Sequence, residues 1–391
     1  MSIFNKIKSL LYETRSTPFY DEADFELKNT WSGATVTEET SLSVTAIFAS
    51  VKLISTVIAM LPLNIYLKKD GKNVLLNKGT IYDLLTSEPN EFLTPFKFFS
   101  LMITYNHLYG AGMAEIERDK KGTPIALWPL ITDYVTPVFK NNKLFYKISS
   151  NKGASTVLNS GDVLCLPYFG TSVYGWKSPI QIHRETIGLA LATAEFGARI
   201  FGQGTNPSGF IKSPNKLQPQ SLESLKKDLE SYAGLGNSHR LMILEHGLEF
   251  QRASLPPVDL QYIESRVFTN SEIGRIYGVP LHLLQSNEKT TSWGTGIEEL
   301  TLGFISYTIQ PILTQLEQEL KNKLCIDPNM IIKFNLDGIL RGKLTERYSA
   351  YSAALSSGWL TKEEIRNKEG ENTLLDSNGG SEGDKIVEDK E

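Results

Sequence analysis

Apolar residues recur at helical spacing from Leu42 to Leu63, where Val44, Phe48, Val51, Ile54, Ile58 and Leu61 form one stripe that Pro62 ends. NIYLKKDGKNVLL then predicts a hairpin, because Asp70-Gly71 supplies the positive φ angles of a type I′ turn. Helical patterns follow near Ile81–Leu85 and from Thr94, a hydroxyl cap before Pro95, to Tyr109. The period drops to two from Met113 to Phe169, which predicts a mostly antiparallel sheet. Ser178-Pro179-Ile180-Gln181 reads as a capping box opening a helix to about Phe201. That helix carries Gly188, Ala190, Ala192, Ala194, Gly197 and Ala198, small enough for close packing on this or a neighbouring chain, with Glu195 and Arg199 spaced as an i,i+4 pair.

The second half alternates again. GFIKS is a strand candidate, Leu222, Leu225 and Leu229 mark an amphipathic helix, and two strands flank His246-Gly247. Asp259 is the expected cap of a helix that Gly278 and Pro280 stop, and a polar loop runs from Gln285 to Gly294. Thr295 and Glu298 form a second capping box. The helix behind it reaches Leu324 along Ile312, Leu313, Leu316 and Leu320, with Pro311 as a kink in its middle. MIIKFNLD predicts a strand, and LTERYSAYSAALSSG and TKEEIRNKEG predict terminal helices, the latter capped by Thr361 with Glu364. Helices and antiparallel strands in separate runs make the fold class α+β. Residues 1–40 show no sustained period and read as an arm.

Composition narrows the classes. At 391 residues and 41% hydrophobic the chain can build two or three cores. The net charge is -4, and residues 376–391, with six acids against two lysines, carry all of it. The remainder is neutral and has no overall basic footprint for nucleic acid. Two cysteines in apolar settings, Cys165 and Cys325, and no leader point to a reducing cytoplasmic setting. Residues 1–11 read as a docking arm rather than an interfacial helix. The apolar stretch 42–63 holds Lys52 at its centre, where insertion in a bilayer would cost about 3 kcal/mol, so it is read as a core helix and no membrane partner is expected.

Motifs for chemistry are sparse. Gly338 to Lys343 falls one residue short of a phosphate loop, with Leu344 where a magnesium-binding hydroxyl belongs. His107, His183, His239, His246 and His282 have no metal-ligand spacing and read as structural. Glu298-Glu299, Glu317 and Glu319 read as solvated helix faces. No catalytic residue, cofactor or metal is expected.

Six blocks in order carry a resemblance: VKLISTVIAMLPLNIY, LYGAGMAEIERDKKGTPIALWPL, SPIQIHRETIGLALATAEFGARIFGQGTNPSGFI, YIESRVFTNSEIGRIYGVPLHLL, WGTGIEELTLGFISYTIQPILTQLEQEL and GWLTKEEIRNKEG. Over residues 40–372 the chain resembles the portal proteins of tailed bacteriophages of the siphovirus type. One departure is Gln203-Gly204 where that family usually has Asn-Gly. The resemblance implies a non-enzymatic homo-oligomeric ring, typically a dodecamer, at one capsid vertex of the virion and assembled in the host cytoplasm. Double-stranded DNA would be packaged and ejected through it, and its partners would be terminase, major capsid and scaffold proteins, and head-tail connector or adaptor proteins. The alternative is a DNA-processing enzyme of the same pathway, a nuclease or an ATP-driven motor.

The resemblance also implies a division of the chain. After the arm (1–40) come a first wing part (41–177), a stem helix (178–204), a clip (205–256) and a second stem helix (257–280). A tunnel loop, kinked helix and second wing part (281–340) precede a crown (341–375) and an acidic disordered tail (376–391). Gly188, Ala190, Ala194, Gly197 and Ala198 would pack the stem, and Pro311 would mark the kink. Asn287, Glu288, Lys289, Thr290, Thr291 and Ser292 would line the channel, and a near-neutral body suits a bore along which duplex DNA must slide.

Overall fold

The computed structural model describes residues 30–149, 155–170, 174–203, 209–212, 249–252, 258–285, 295–325, 327–336 and 344–369. After a four-residue helix α1 (Glu38–Ser41), closed by a Thr37/Thr40 capping box, comes α2 (Thr45–Ala59). Its buried stripe is Ile47, Val51, Ile54 and Ile58, packed on Phe98, Phe99, Met102 and Ile103 of α4 (Pro95–Tyr109). Phe48, expected in that stripe, faces outward beneath Lys52, whose Nζ lies 5.8 Å from its ring centroid. Val51, Ile54, Ile58 and Leu61 are buried as the pattern predicts, Ile47 takes the place expected of Phe48, and Ser50 is buried beside it because its hydroxyl donates to Ala46 O within the helix. The helix α3 (Thr80–Thr86) precedes α4, and Thr94 Oγ1 caps α4 as expected.

The hairpin β1 (Leu63–Lys69) and β2 (Lys72–Leu76) turns at Asp70 and Gly71, both with positive φ. β11 (Met330–Phe334) joins it antiparallel, with Leu63 opposite Phe334, so the sheet order is β11-β1-β2. A second sheet sets β3 (Ala111–Arg118) between β4 (Pro124–Leu130) and β8 (Val163–Pro167). It rests on α4 at Gly112, where an added Cβ would lie 2.2 Å from Met102 O.

The period-two region is two sheets, not one. β5 (Val135–Lys140), β6 (Lys143–Ser149) and β7 (Ser155–Asn159) form a separate antiparallel layer. The reason is that both edges of the second sheet are occupied: on β4, Leu127 N–H donates to Pro89 O, and a helix covers β8. The third sheet therefore stacks on the second, Val135 and Tyr146 packing against Ala111, Met113, Val163 and Trp176.

The helix covering β8 is the last part of a continuous run, α8 (Thr295–Phe304), a π-turn (Ile305–Ile309) and α9 (Gln310–Leu324). Gln315 Nε2 donates to Pro167 O at 3.1 Å, and Cys165 N–H donates to Glu319 Oε1 at 3.0 Å. Residues four apart on a helix rise about 6 Å and residues two apart on a strand about 6.7 Å, so one helix face tracks one strand edge. Lys323 Nζ extends the track to Ser160 O, and Arg118 Nη2 closes the helix end by donating to Lys323 O at 2.8 Å.

On the other face Glu317, 8% exposed, accepts from Phe334 N–H at 2.9 Å and pairs with Lys333. Glu317 and Glu319 are therefore not the solvated carboxylates expected of them. They terminate the free edges of two sheets, and burial holds the Glu319 carboxyl above its ordinary pKa.

Of residues 205–256 only β9 (Gly209–Lys212) and β10 (Glu249–Arg252) are described, and they pair antiparallel. The predicted helix at Leu222–Leu229 and the strand before His246 lie outside the described residues. The chain divides into two units, 1–334 and 335–391. The second contains α10 (Leu344–Ser356) and α11 (Lys362–Glu369), with the predicted Thr361/Glu364 box formed at 2.8 and 3.2 Å.

Glu317→Ala is expected to lower unfolding free energy by about 1–3 kcal/mol, since it strands the buried Phe334 amide. Glu317→Gln, which keeps an acceptor, should lose less; chemical denaturation of both variants checks this.

Candidate nucleic-acid interface

The candidate site hangs on two long helices, α6 (Arg184–Gln203) and α7 (Val258–Tyr277), which pack on each other while α7 also packs on α2. The first begins differently from expectation. Ser178 and Pro179 open only a single turn, α5 (Pro179–Ile182), which breaks at His183 before α6 starts. No reciprocal box with Gln181 forms: Ser178 Oγ accepts from Ile180 N–H at 3.1 Å and donates to Leu108 O at 2.5 Å. This buried hydroxyl fastens the turn to the end of α4. Gly110, at φ 84°, allows the approach, because a Cβ there would lie 2.6 Å from the backbone of Lys177 and Ser178.

The small residues of α6 divide by role. Gly188 and Ala190 are buried, and the space above Gly188 holds Thr30, whose Cγ2 and Oγ1 would lie 2.6 Å from an added Cβ. Trp31 N–H donates to Glu185 Oε2 at 3.0 Å, so the end of the arm docks on α6 while the Trp31 side chain is 95% exposed. Gly197 is also buried, but Ala194 and Ala198 are exposed on the subunit surface. Among the described residues these two alanines do not pack into the subunit's interior. Arg199 and Glu195 form the predicted pair at 2.5 Å.

The second helix begins at Val258, so Asp259 lies in its first turn rather than at its cap. Its end is held from three sides. Tyr168 Oη donates to Ile276 O at 2.9 Å, and Thr308 Oγ1, from the π-turn, donates to Gly278 O at 2.7 Å. The buried Tyr277 ring stacks on His107 with centroids 6.0 Å apart. Nδ1 of His107 faces Ile103 O at 2.8 Å, a carbonyl that requires the proton on that nitrogen. Complete burial depresses this imidazole's pKa to about 4.

The polar loop departs from this root. A 3-10 turn, Leu281–Leu284, ends at Gln285 with φ 56°, and His282 Nε2 meets Thr301 Oγ1 of α8 at 3.2 Å. The His282–Thr301 and Gly278–Thr308 contacts cross-link the limbs from which the loop leaves and to which it returns. Asn287, Glu288, Lys289, Thr290, Thr291 and Ser292 lie outside the described residues, as does the side chain of Thr295. Pro311 lies two residues past the end of the π-turn, after Gln310. Gln310 N–H reaches back five residues to Ile305 O, which places an interruption in the helix where an imino acid cannot donate.

None of these cross-links has a signature in sequence except Glu317, which shares the apolar stripe of Leu313, Leu316 and Leu320 and so sat where a carboxylate needs a partner. Among the described residues no three His, Cys, Asp or Glu side chains converge as a metal site, and no helix is long and apolar enough to cross a membrane.

The model of the phage portal protein family matches residues 45–370. The chain is 30% identical to the probable portal protein of Streptomyces phage phiC31, covering 94% of this chain and 83% of that one. It is 29% identical to the portal protein of Enterobacteria phage HK97, covering 85% and 80%. Its fold is similar to a chain in the neck of a gene transfer agent particle, seen empty with C6 symmetry at TM-score 0.62 and native with C12 symmetry at 0.60. Both share 22% identity and cover 85% of this chain and 93% of the other.

Because the His107 pKa falls from an ordinary 6.5 to about 4, the unfolded chain takes up a proton first as pH drops. Stability is full above pH 6.5 and declines by up to about 3 kcal/mol toward pH 4. His107→Phe should flatten this part of a melting-temperature profile against pH.

Proposed function

The chain belongs to the phage portal protein family, and on that premise we propose that it assembles into a homo-oligomeric ring, a dodecamer, at one vertex of a capsid. Double-stranded DNA enters and leaves through this ring, and terminase, capsid and scaffold proteins, and head-tail connectors dock on it. The observation that carries the reading is the family match over residues 45–370, which spans both long helices, the loop root and the α8–α9 run. The C12 symmetry of the similar neck particle supports the subunit number. In this reading α6 and α7 are the stem, and Ala194 and Ala198, exposed on one subunit, face a ring neighbour. The wing comprises 41–177 with part of 281–340, the clip 205–256, and the crown 341–375.

The loop 285–294 lines the bore. Its cross-linked base fixes where it emerges, while Lys289 and its neighbours Asn287, Glu288, Thr290, Thr291 and Ser292 offer one cation, one carboxylate, one amide and three hydroxyls per subunit. A lining whose single cation is balanced by a carboxylate meets phosphates weakly enough for the duplex to slide. The protein acts without catalysis; a nuclease or nucleotide-driven motor would instead hydrolyse DNA or ATP in a direct assay.

Native mass spectrometry and negative-stain images of the purified chain should show rings with a central hole, and a species that stays monomeric at all concentrations and with capsid partners would overturn the reading. Replacing Lys289 and its polar neighbours by Gly and Ser should preserve rings and impair DNA packaging or retention. Loss of assembly would instead make the loop structural.

A further inference from the structure

The β5-β6-β7 sheet turns one face to the core and the other to solvent, and the solvent face has an unusual charge pattern. Between Asp133 and Asp162 the chain has no acidic residue, whereas at its average of 44 Asp and Glu in 391 residues about three would fall in such a run of 28. The same run holds Lys140, Lys143 and Lys147, all exposed and all on the outer face by strand alternation. Lys140 stands directly opposite Lys143 beside the Asn141-Asn142 turn, a like-charge cross-strand pair that costs stability. Among the described residues no carboxylate pairs with any of the three.

Apolar side chains run between these cations. Val138 is opposite Phe145 across β5 and β6, and Val157 on β7 lies diagonally beyond Phe145, next to Lys147. Val138 is 37% exposed, Val157 57%, and Phe145 half-buried. The diagonal from Val138 to Val157 crosses two strand spacings, about 10 Å, and advances two residues along the strands, about 7 Å, so it spans about 12 Å, close to the rise of about 10 Å between positions i and i+7 of a helix. Lys140 and Lys143 flank it on one side and Lys147 on the other.

We propose that this face is a docking surface for an acidic amphipathic helix of a partner protein. Three apolar residues of that helix, one turn apart, lie along Val138, Phe145 and Val157, and carboxylates on both flanks meet the lysines. The apolar row decides between polyanions: phosphates would use the lysines and leave Val138 and Val157 against water, whereas an amphipathic helix covers both. The inference is independent of the DNA channel, which involves other residues.

The test uses the full chain and a labelled peptide of about 15 residues with Leu at i, i+4 and i+7 and Glu on both flanks. Fluorescence anisotropy should show saturable binding that weakens at high salt, with a Gln-for-Glu version of the peptide binding about tenfold more weakly. Lys140→Glu/Lys143→Glu/Lys147→Glu and, separately, Val138→Ser/Val157→Ser should each weaken binding at least tenfold, with melting temperature and ring formation unchanged. Lys→Gln at the three positions replaces the reversal should that variant fold poorly. Absence of binding, equal binding of the Gln peptide, or indifference to both variants overturns the proposal. Displacement of the peptide by short duplex DNA as efficiently as by unlabelled peptide overturns it in favour of a nucleic-acid surface.

Discussion

The organisation of the larger unit depends on one constraint, that a sheet edge taken out of water must have its backbone amides and carbonyls satisfied. The helix Gln310–Leu324 meets this at two edges at once. Glu319 and Gln315 finish β8 through Cys165 and Pro167, and Glu317 finishes β11 through Phe334. Because the two edges lie on different faces of the helix, α9 fixes the positions of two sheets relative to each other. A side chain that bonds to an edge amide also blocks further strand addition at that edge, here β8 and β11.

The base of the polar loop is tied to the same helical run. Just before α9 lies the π-turn at Ile305–Ile309, and its Thr308 hydroxyl grips Gly278 at the end of the second long helix. The chain therefore passes from a clamped helix through an irregular turn to a cross-linked loop base within a few residues. Beneath the helix end, His107 and Tyr277 form a dry aromatic contact, with the imidazole held neutral by burial. These contacts fix where the polar loop leaves the helices; in the proposed function its side chains alone would meet the duplex.

Local structure was legible where one or two residues decide it. Asp70-Gly71, Thr94-Pro95, Gly278 and Thr361 with Glu364 act through their own φ angles and nearest hydrogen bonds, and each does what its pattern predicts. Pro311 marked an interruption, but not the π-turn that absorbs it. Ser178 looked like half of a capping box because the spacing to Gln181 was right. The buried Leu108 carbonyl claims its hydroxyl proton, and the helix breaks at His183 instead. Ala194 and Ala198 showed only that close approach is allowed, not to which surface.

Periodicity, turn chemistry and block similarity along a line were enough for most of the described elements, their order, the family and the acid-free strand run. Packing in three dimensions is what splits the period-two region into two layers, makes buried Glu317 and half-buried Glu319 edge clamps, and sets three lysines on one face with Val138, Phe145 and Val157. Each depends on which edge or face another segment, often a hundred residues away, has already occupied. No local pattern encodes that occupancy, because a carboxylate on a helix reads the same whether water or a strand's amide lies beyond it.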